Sequence, residues 1–439
     1  MIPPKFVAFI FALVAIISGA SYETYDHIFV GKHVQLAAAV TYATPEESDA
    51  YVRFDMEAYD SILKNYWKKV SESDLAQLFQ QSVAKASSSS TPLVTPDRAG
   101  TAKMLSVALG SVTGDAKKQL AINTIIVALY NLPPVGRDQL LSAKQETSLR
   151  QEVSNVDPNK NLYADVGATT GASVDDVKTA YTEKKTELEK ATSTVAKQQL
   201  AQAKYAYDVL TKDDTKTRYD ATKVEPTIFT HEMGTTLYLY IEKMSPTTLD
   251  EFVSAINAGA KDNMTSLIID LRGNIGGSLD IAPSFIGLFE GQNSYAFDLF
   301  HQDDYQVLRS PTPKLDSLSQ FRDIAVLTDN MTQSTAEVIS AAMKRFHIAH
   351  LVGATTRGWG TVENTFPLST SIDPTETYTM LLVHSLTLRD DNQPIESRGV
   401  DPDVSISDAN WRTELVKYFR STSLIDALRA EASKPPIKD

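Results

Sequence analysis

The chain has 439 residues, is 42% hydrophobic, carries a net charge of −13 and contains no cysteine. This length can bury more than one core and suggests about two or three domains. The acidic balance gives no reason to approach a phosphate backbone, which excludes nucleic acid as a partner. The missing cysteines exclude disulfides, thiolate metal sites, a cysteine nucleophile and a lipid-modified N-terminal Cys.

The first 20 residues read as an export signal. Lys5 gives a positive start, Phe6 to Ile17 is an unbroken apolar run, and Ser18-Gly19-Ala20 offers small residues before Ser21. A retained membrane anchor is the alternative, although the run is short of the about 20 residues that span a bilayer. Either reading places the rest outside the cytoplasm, secreted or in the periplasm or cell envelope. Membrane contact is expected only if the segment is retained.

Residues 21–150 read as a helical region. Tyr51, Phe54, Met56, Tyr59 and Leu63 recur at near-helical spacing, and Ser71-Glu72-Ser73-Asp74 starts a second helix. Ala86 to Pro96 is a Ser/Thr/Pro-rich loop, Ala102 to Ala128 is a helical pair broken near Gly110 and Gly114, and Pro133-Pro134 is a stop. Residues 158–222 form a separate helical module. Ser173-Val174-Asp175-Asp176 opens a helix, and Leu200, Ala203, Tyr207 and Leu210 mark the next.

From Leu237 the pattern changes. Tyr238–Ile241, Ser266–Leu271, Ile324–Leu327 and His350–Val352 are apolar strand patterns alternating with helices at Thr248–Ala258 and Thr335–Phe346. That alternation argues for an α/β core over 230–410, α+β with the helical regions included. Residues 411–439 read as a C-terminal helix and tail.

Three local motifs carry possible chemistry. Asp270-Leu271-Arg272-Gly273-Asn274-Ile275-Gly276-Gly277 takes a strand into a glycine turn. Adjacent glycines let backbone N–H groups approach a ligand oxygen, although a tight strand-to-helix turn needs glycine too. Phosphate-loop and dinucleotide readings fail on spacing. Thr332-Gln333-Ser334-Thr335-Ala336-Glu337 opens a helix, where the partial positive charge favours an oxyanion and where a serine also serves as a plain N-cap. Gly353-Ala354-Thr355-Thr356-Arg357-Gly358-Trp359-Gly360-Thr361-Val362 is a glycine-rich loop following a strand.

In this order the three motifs resemble those of the carboxyl-terminal processing (tail-specific) serine peptidases. Arg398-Gly399-Val400-Asp401-Pro402-Asp403-Val404 is similar to that family's closing element. The resemblance implies a crotonase/Clp-protease-like core, protein or peptide substrates and no cofactor or metal. It implies Ser334 as nucleophile, with its own N–H and that of Gly276 or Gly277 as the oxyanion hole. It also exposes a departure. The family's general-base lysine falls on Trp359, whose indole N–H donates only. Candidate replacement bases are His384 on a β-like run and Glu363 beyond the loop. The chain therefore reads either as a serine peptidase with a non-standard base or as a pseudopeptidase that binds without cutting.

The 158–222 module resembles a J-domain at Leu162-Tyr163-Ala164-Asp165-Val166, Val177-Lys178-Thr179-Ala180-Tyr181, Ala206-Tyr207-Asp208-Val209-Leu210 and Arg218-Tyr219-Asp220. Leu188-Glu189-Lys190-Ala191-Thr192 stands where J-domains carry His-Pro-Asp. The resemblance therefore implies a structural or protein-binding insert, not a co-chaperone.

Overall fold

The computed structural model describes residues 44–191, 193–261 and 263–438. The segment read as an export signal lies outside the described residues. Among them, no helix is long and apolar enough to cross a membrane.

The chain divides into two compact units. The first comprises residues 44–65, 70–141 and 364–382. It contains helices α1 (Ala50–Asn65), α2 (Glu72–Ser87), α3 (Arg98–Gly110) and α4 (Asp115–Tyr130), then most of strand β1 (Gln139–Ser142). Starts follow the side chains that can satisfy free N–H groups: Ser71 accepts from Asp74 N and Asp97 from Gly100 N. Tyr59 and Phe79 meet edge-on at 5.3 Å between α1 and α2, and Arg98 joins Glu47 to Asp60. The boundary expected near residue 150 falls at 141, and the return segment 364–382 joins this unit. It does so through Glu57, which accepts from the Ser369 and Thr370 N–H groups, and through Tyr378 against Phe54. Such long-range pairings leave no periodic mark in the sequence.

The second unit comprises residues 66–69, 142–363 and 383–438, and its first helix is α5 (Ala143–Val153). A four-helix module follows: α6 (Leu162–Val166), α7 (Val174–Leu188), α8 (Thr194–Leu210) and α9 (Asp213–Thr222). It packs around its own cluster, including Leu162, Tyr163, Val177, Val209 and Tyr219. Its flanks meet, since Glu225 N donates to Asn155 O at 3.1 Å.

The remainder is an α/β core, as expected. Its six-stranded sheet holds β2 (Ile228–Met233), β3 (Thr236–Ile241), β4 (Ser266–Asp270), β7 (Asp323–Thr328), β8 (His350–Gly353) and β11 (Val404–Ser405), in spatial order β11-β8-β7-β4-β3-β2. All neighbours run parallel except the β2–β3 pair. Alternation assigns residues to two faces. Leu237, Leu239 and Ile241 join a core cluster with residues of α10 (Thr248–Gly259), α11 (Ile281–Glu290) and α12 (Thr335–Arg345). Tyr238 and Tyr240 join the opposite cluster with α13 (Trp411–Tyr418) and α14 (Thr422–Glu431). The single C-terminal helix expected after 411 is thus two, divided where Phe419 turns extended and Ser421 caps the second.

The sequence reading did not anticipate the hairpin of β5 (Tyr295–His301) and β6 (Asp304–Arg309). The end of β10 (Tyr378–Thr387) pairs with β5, Leu386 opposite Phe300. Strand β9 (Thr361–Pro367) follows the third motif.

Candidate active site

The site is assembled where β4, β7 and β8 end. β4 delivers the Asp270-to-Gly277 turn, β7 leads to Ser334 at the start of α12, and β8 leads to the loop carrying Trp359. Parallel strands bring their C-terminal ends to one edge, so motifs distant in sequence meet there.

The polar residues of the first motif hold the turn in shape. Asp270 is buried and accepts from the Tyr238 hydroxyl at 2.5 Å and from Arg272 Nε at 2.9 Å. The Arg272 guanidinium continues to the carbonyls of Glu431, which ends α14, and of Ala432 and Lys434 beyond it, and Ile437 N donates to Tyr238 Oη. Asn274 is fully buried. Its Nδ2 donates to Ile241 O at 2.8 Å, and its backbone carbonyl accepts from Gln333 N at 2.9 Å. That last bond ties the glycine turn to the serine segment. Gly276 lies against Ser334: a Cβ there would come within 2.6 Å of Ser334 Cβ, and its φ is +86°. No other residue type fits that approach.

Ser334 is half-buried, with φ 56° and ψ −126°. A positive φ is rare for a residue with a side chain and marks a position that the surrounding structure enforces. Glu337, one turn along α12, supplies the restraint. Its carboxylate is fully buried and accepts from Ser334 N at 2.9 Å, Thr356 Oγ1 at 2.5 Å, Gly358 N at 2.7 Å and Trp359 N at 2.8 Å. Burial raises the Glu337 carboxyl above its usual value, and these four donors offset that only in part. One side chain thereby fastens the Trp359 loop to the serine. Sequence reasoning gave it no role, although Glu three residues after a helix-opening Ser is a capping-box signal.

Of the N–H groups expected to face an oxyanion, two have internal acceptors. Ser334 N donates to Glu337 and Gly276 N to Asn274 Oδ1 at 2.8 Å. No acceptor among the described residues takes Gly277 N.

At the position where the resemblance expects a lysine, the Trp359 indole donates to Glu363 Oε1 at 3.2 Å. Glu363 also accepts from Thr361 Oγ1 at 2.6 Å. His384 stacks on His301 with ring centroids 4.2 Å apart, and its Nδ1 lies 2.8 Å from Ser385 Oγ. Burial, with His301 adding to it, lowers its pKa to about 4, so the ring is neutral at neutral pH. Neither Glu363 nor His384 hydrogen-bonds Ser334, and no described side chain accepts from its hydroxyl. Lys344, expected to face solvent, is half-buried, donating to Asp401 O and pairing with Asp403. Among the described residues no cluster suits a metal ion.

The site thus sets a positive-φ serine at a helix start against a glycine turn, at the edge of a largely parallel sheet. Residues 235–406 match the profile of peptidase family S41. The probable CtpA-like serine protease of Staphylococcus epidermidis is 29% identical over 202 residues, 46% of this chain and 39% of that protein. The corresponding Staphylococcus aureus protein is 27% identical over 177 residues, 39% of this chain and 34% of that one. The chain thus spans about two fifths of the length of these relatives. The photosystem II D1 C-terminal processing protease shares the fold, with TM-score 0.50 at 13% identity, covering 82% of this chain and 93% of that one. Over residues 235–406 the core is thus similar to peptidase family S41 and to the CtpA-like serine proteases.

Proposed function

We propose that this chain is an exported member of the carboxyl-terminal processing peptidases that binds protein C-terminal tails without cutting them. The carrying observation is the donor at the base position: Trp359 Nε1 points to Glu363, and no side chain among the described residues accepts from Ser334 Oγ. A serine hydroxyl is a poor nucleophile unless a base takes its proton, and general-base assistance is worth roughly 100- to 10,000-fold in rate. The internal pairing of Ser334 N and Gly276 N supports the same reading, because donors already engaged cannot stabilise an oxyanion without rearranging. The second reading, a slow peptidase with a non-standard base, draws on the positive φ of Ser334, which retains a nucleophile-like placement. The apolar segment Phe6–Ile17 supports export, and the helical module is read as a protein-binding insert because its inter-helix turn lacks His-Pro-Asp.

The test compares wild type, Ser334→Ala and Trp359→Lys with fluorescent peptides bearing a free or an amidated C-terminus. Wild type should bind the free-carboxyl peptide and cleave no faster than Ser334→Ala, while Trp359→Lys should gain measurable cleavage. Wild-type cleavage that vanishes in Ser334→Ala overturns the non-hydrolytic reading. Equal affinity for both peptides overturns tail recognition.

A further inference from the structure

We infer that β6 is a self-association edge, on which a second copy of this chain adds its own β6 in antiparallel register. Among the described residues the strand ends its sheet, with β5 as its neighbour on one side. The connecting residues Gln302 and Asp303 have φ of 47° and 71°, the two-residue primed turn that closes a hairpin on a hydrogen-bonded pair. That pair is His301–Asp304, and the register then alternates. Tyr305 and Val307, opposite Phe300 and Asp298, occupy the non-bonded positions, so their N–H and C=O groups point away from β5. Tyr305 N accordingly turns back onto the Asp304 carboxylate at 2.9 Å.

This edge is protected only by the charges of Asp304 and Arg309 at its two ends. Natural edge strands are blunted by lysine, proline or bulges. β6 reads Asp-Tyr-Gln-Val-Leu-Arg, with neither lysine nor proline. Tyr305 and Val307 lie two apart, on one face of the strand, and are 56% and 50% exposed.

Two-fold symmetry fixes what the edge fits. An axis normal to the sheet must pair residues of the same face, and an axis through Gln306 does so. It sets Tyr305 opposite Val307 of the second copy, and the reverse. Each such pair exchanges both backbone hydrogen bonds and forms an aromatic–aliphatic contact. The same register brings Asp303 opposite Arg309 of the second copy, so opposite charges meet at both ends of the seam. Two short strands bury little area, so the association is weak and reversible.

The cysteine-free sequence supplies a clean test on the full chain. In this register Gln306 meets its own symmetry mate as a non-hydrogen-bonded pair. Such Cα atoms lie about 4.5 Å apart, within the roughly 4.4–6.8 Å that a disulfide spans. Gln306→Cys should therefore give a covalent dimer under mild oxidation, whereas Asp304→Cys, displaced from its mate, should not. Sedimentation velocity should show wild type dimerising with concentration, and Val307→Lys should weaken that roughly tenfold, given two lost cross-strand pairs and new like charges. Circular dichroism and thermal melts establish that each variant is folded. A wild type that stays monomeric to high concentration, a folded Val307→Lys that dimerises as wild type does, or equal cross-linking of the two cysteine variants overturns the inference.

Discussion

Glu337 is the residue on which the geometry around Ser334 depends most. A glutamine amide would offer one carbonyl oxygen and a donor NH2 to a site that presents four donors. Glu337→Gln should cost about 1–3 kcal/mol, the range for leaving buried partners unsatisfied. Urea denaturation measures the loss, and Trp359 fluorescence should report a loosened loop. Unchanged stability and an unchanged spectrum would show that the loop is held by other contacts.

Asp55 in α1 is another buried carboxyl, fully inaccessible and with no hydrogen-bond partner for either oxygen among the described residues. Burial raises its pKa well above the usual value, so the folded state favours the protonated form. The unfolded state releases this proton at lower pH. The group's contribution is therefore complete below the unfolded pKa and declines as pH rises through the folded one. Asp55→Asn should raise the melting temperature at pH 8 relative to wild type by more than it does at pH 4. A difference that is the same at both pH values would count against this account. His384 works in the opposite direction. Its folded pKa of about 4 lies below the 6.5 of a free imidazole, so its contribution is intact above pH 6.5 and is lost as pH falls towards 4. A His384→Gln variant should show a flatter stability profile over that window.

Among the elements, the turn after β4 depends on contacts far along the chain. Arg272 sits between Asp270 and the carbonyls that follow α14, so the C-terminal segment helps to set the strand that carries the glycine turn. Removing one partner of a buried ion pair costs roughly 3–5 kcal/mol. Arg272→Ala should lose about that much, and residues 432–438 should become readily cleaved in limited proteolysis. A variant with wild-type stability would show that Asp270 finds compensation in Tyr238 alone. The β3, β4, β7 and β8 strands were readable because a sheet covered on both faces needs near-continuous apolar runs. The β5–β6 hairpin was not, because β6 is almost wholly exposed and carries no strong apolar pattern.

For the whole molecule, the helical module is bounded by flanks that touch. Asn155 O accepts from Glu225 N, and Asn155 Nδ2 donates to Glu225 O at 3.0 Å. A module with its own core and adjacent ends can be removed without stretching what remains. Replacing 157–223 by a short Gly-Ser link should leave a folded α/β core, seen as a cooperative melt with reduced helical signal. Loss of the cooperative transition would mean that the core requires the module, with the Arg218–Glu251 ion pair the first contact to suspect.

The sequence alone determined the order of the three motifs, the α/β character of 230–410 and the tryptophan in the third of them. Each depends on residue type, local spacing or strand periodicity, which neighbouring residues in the chain suffice to specify. Only the tertiary structure decided that Ser334 N and Gly276 N are already paired, that Glu337 binds the loop to the serine, and that neither Glu363 nor His384 reaches the hydroxyl. These are pairings between segments brought together by parallel strand ends. A buried carboxylate and an exposed one are the same letter until the fold chooses their partners.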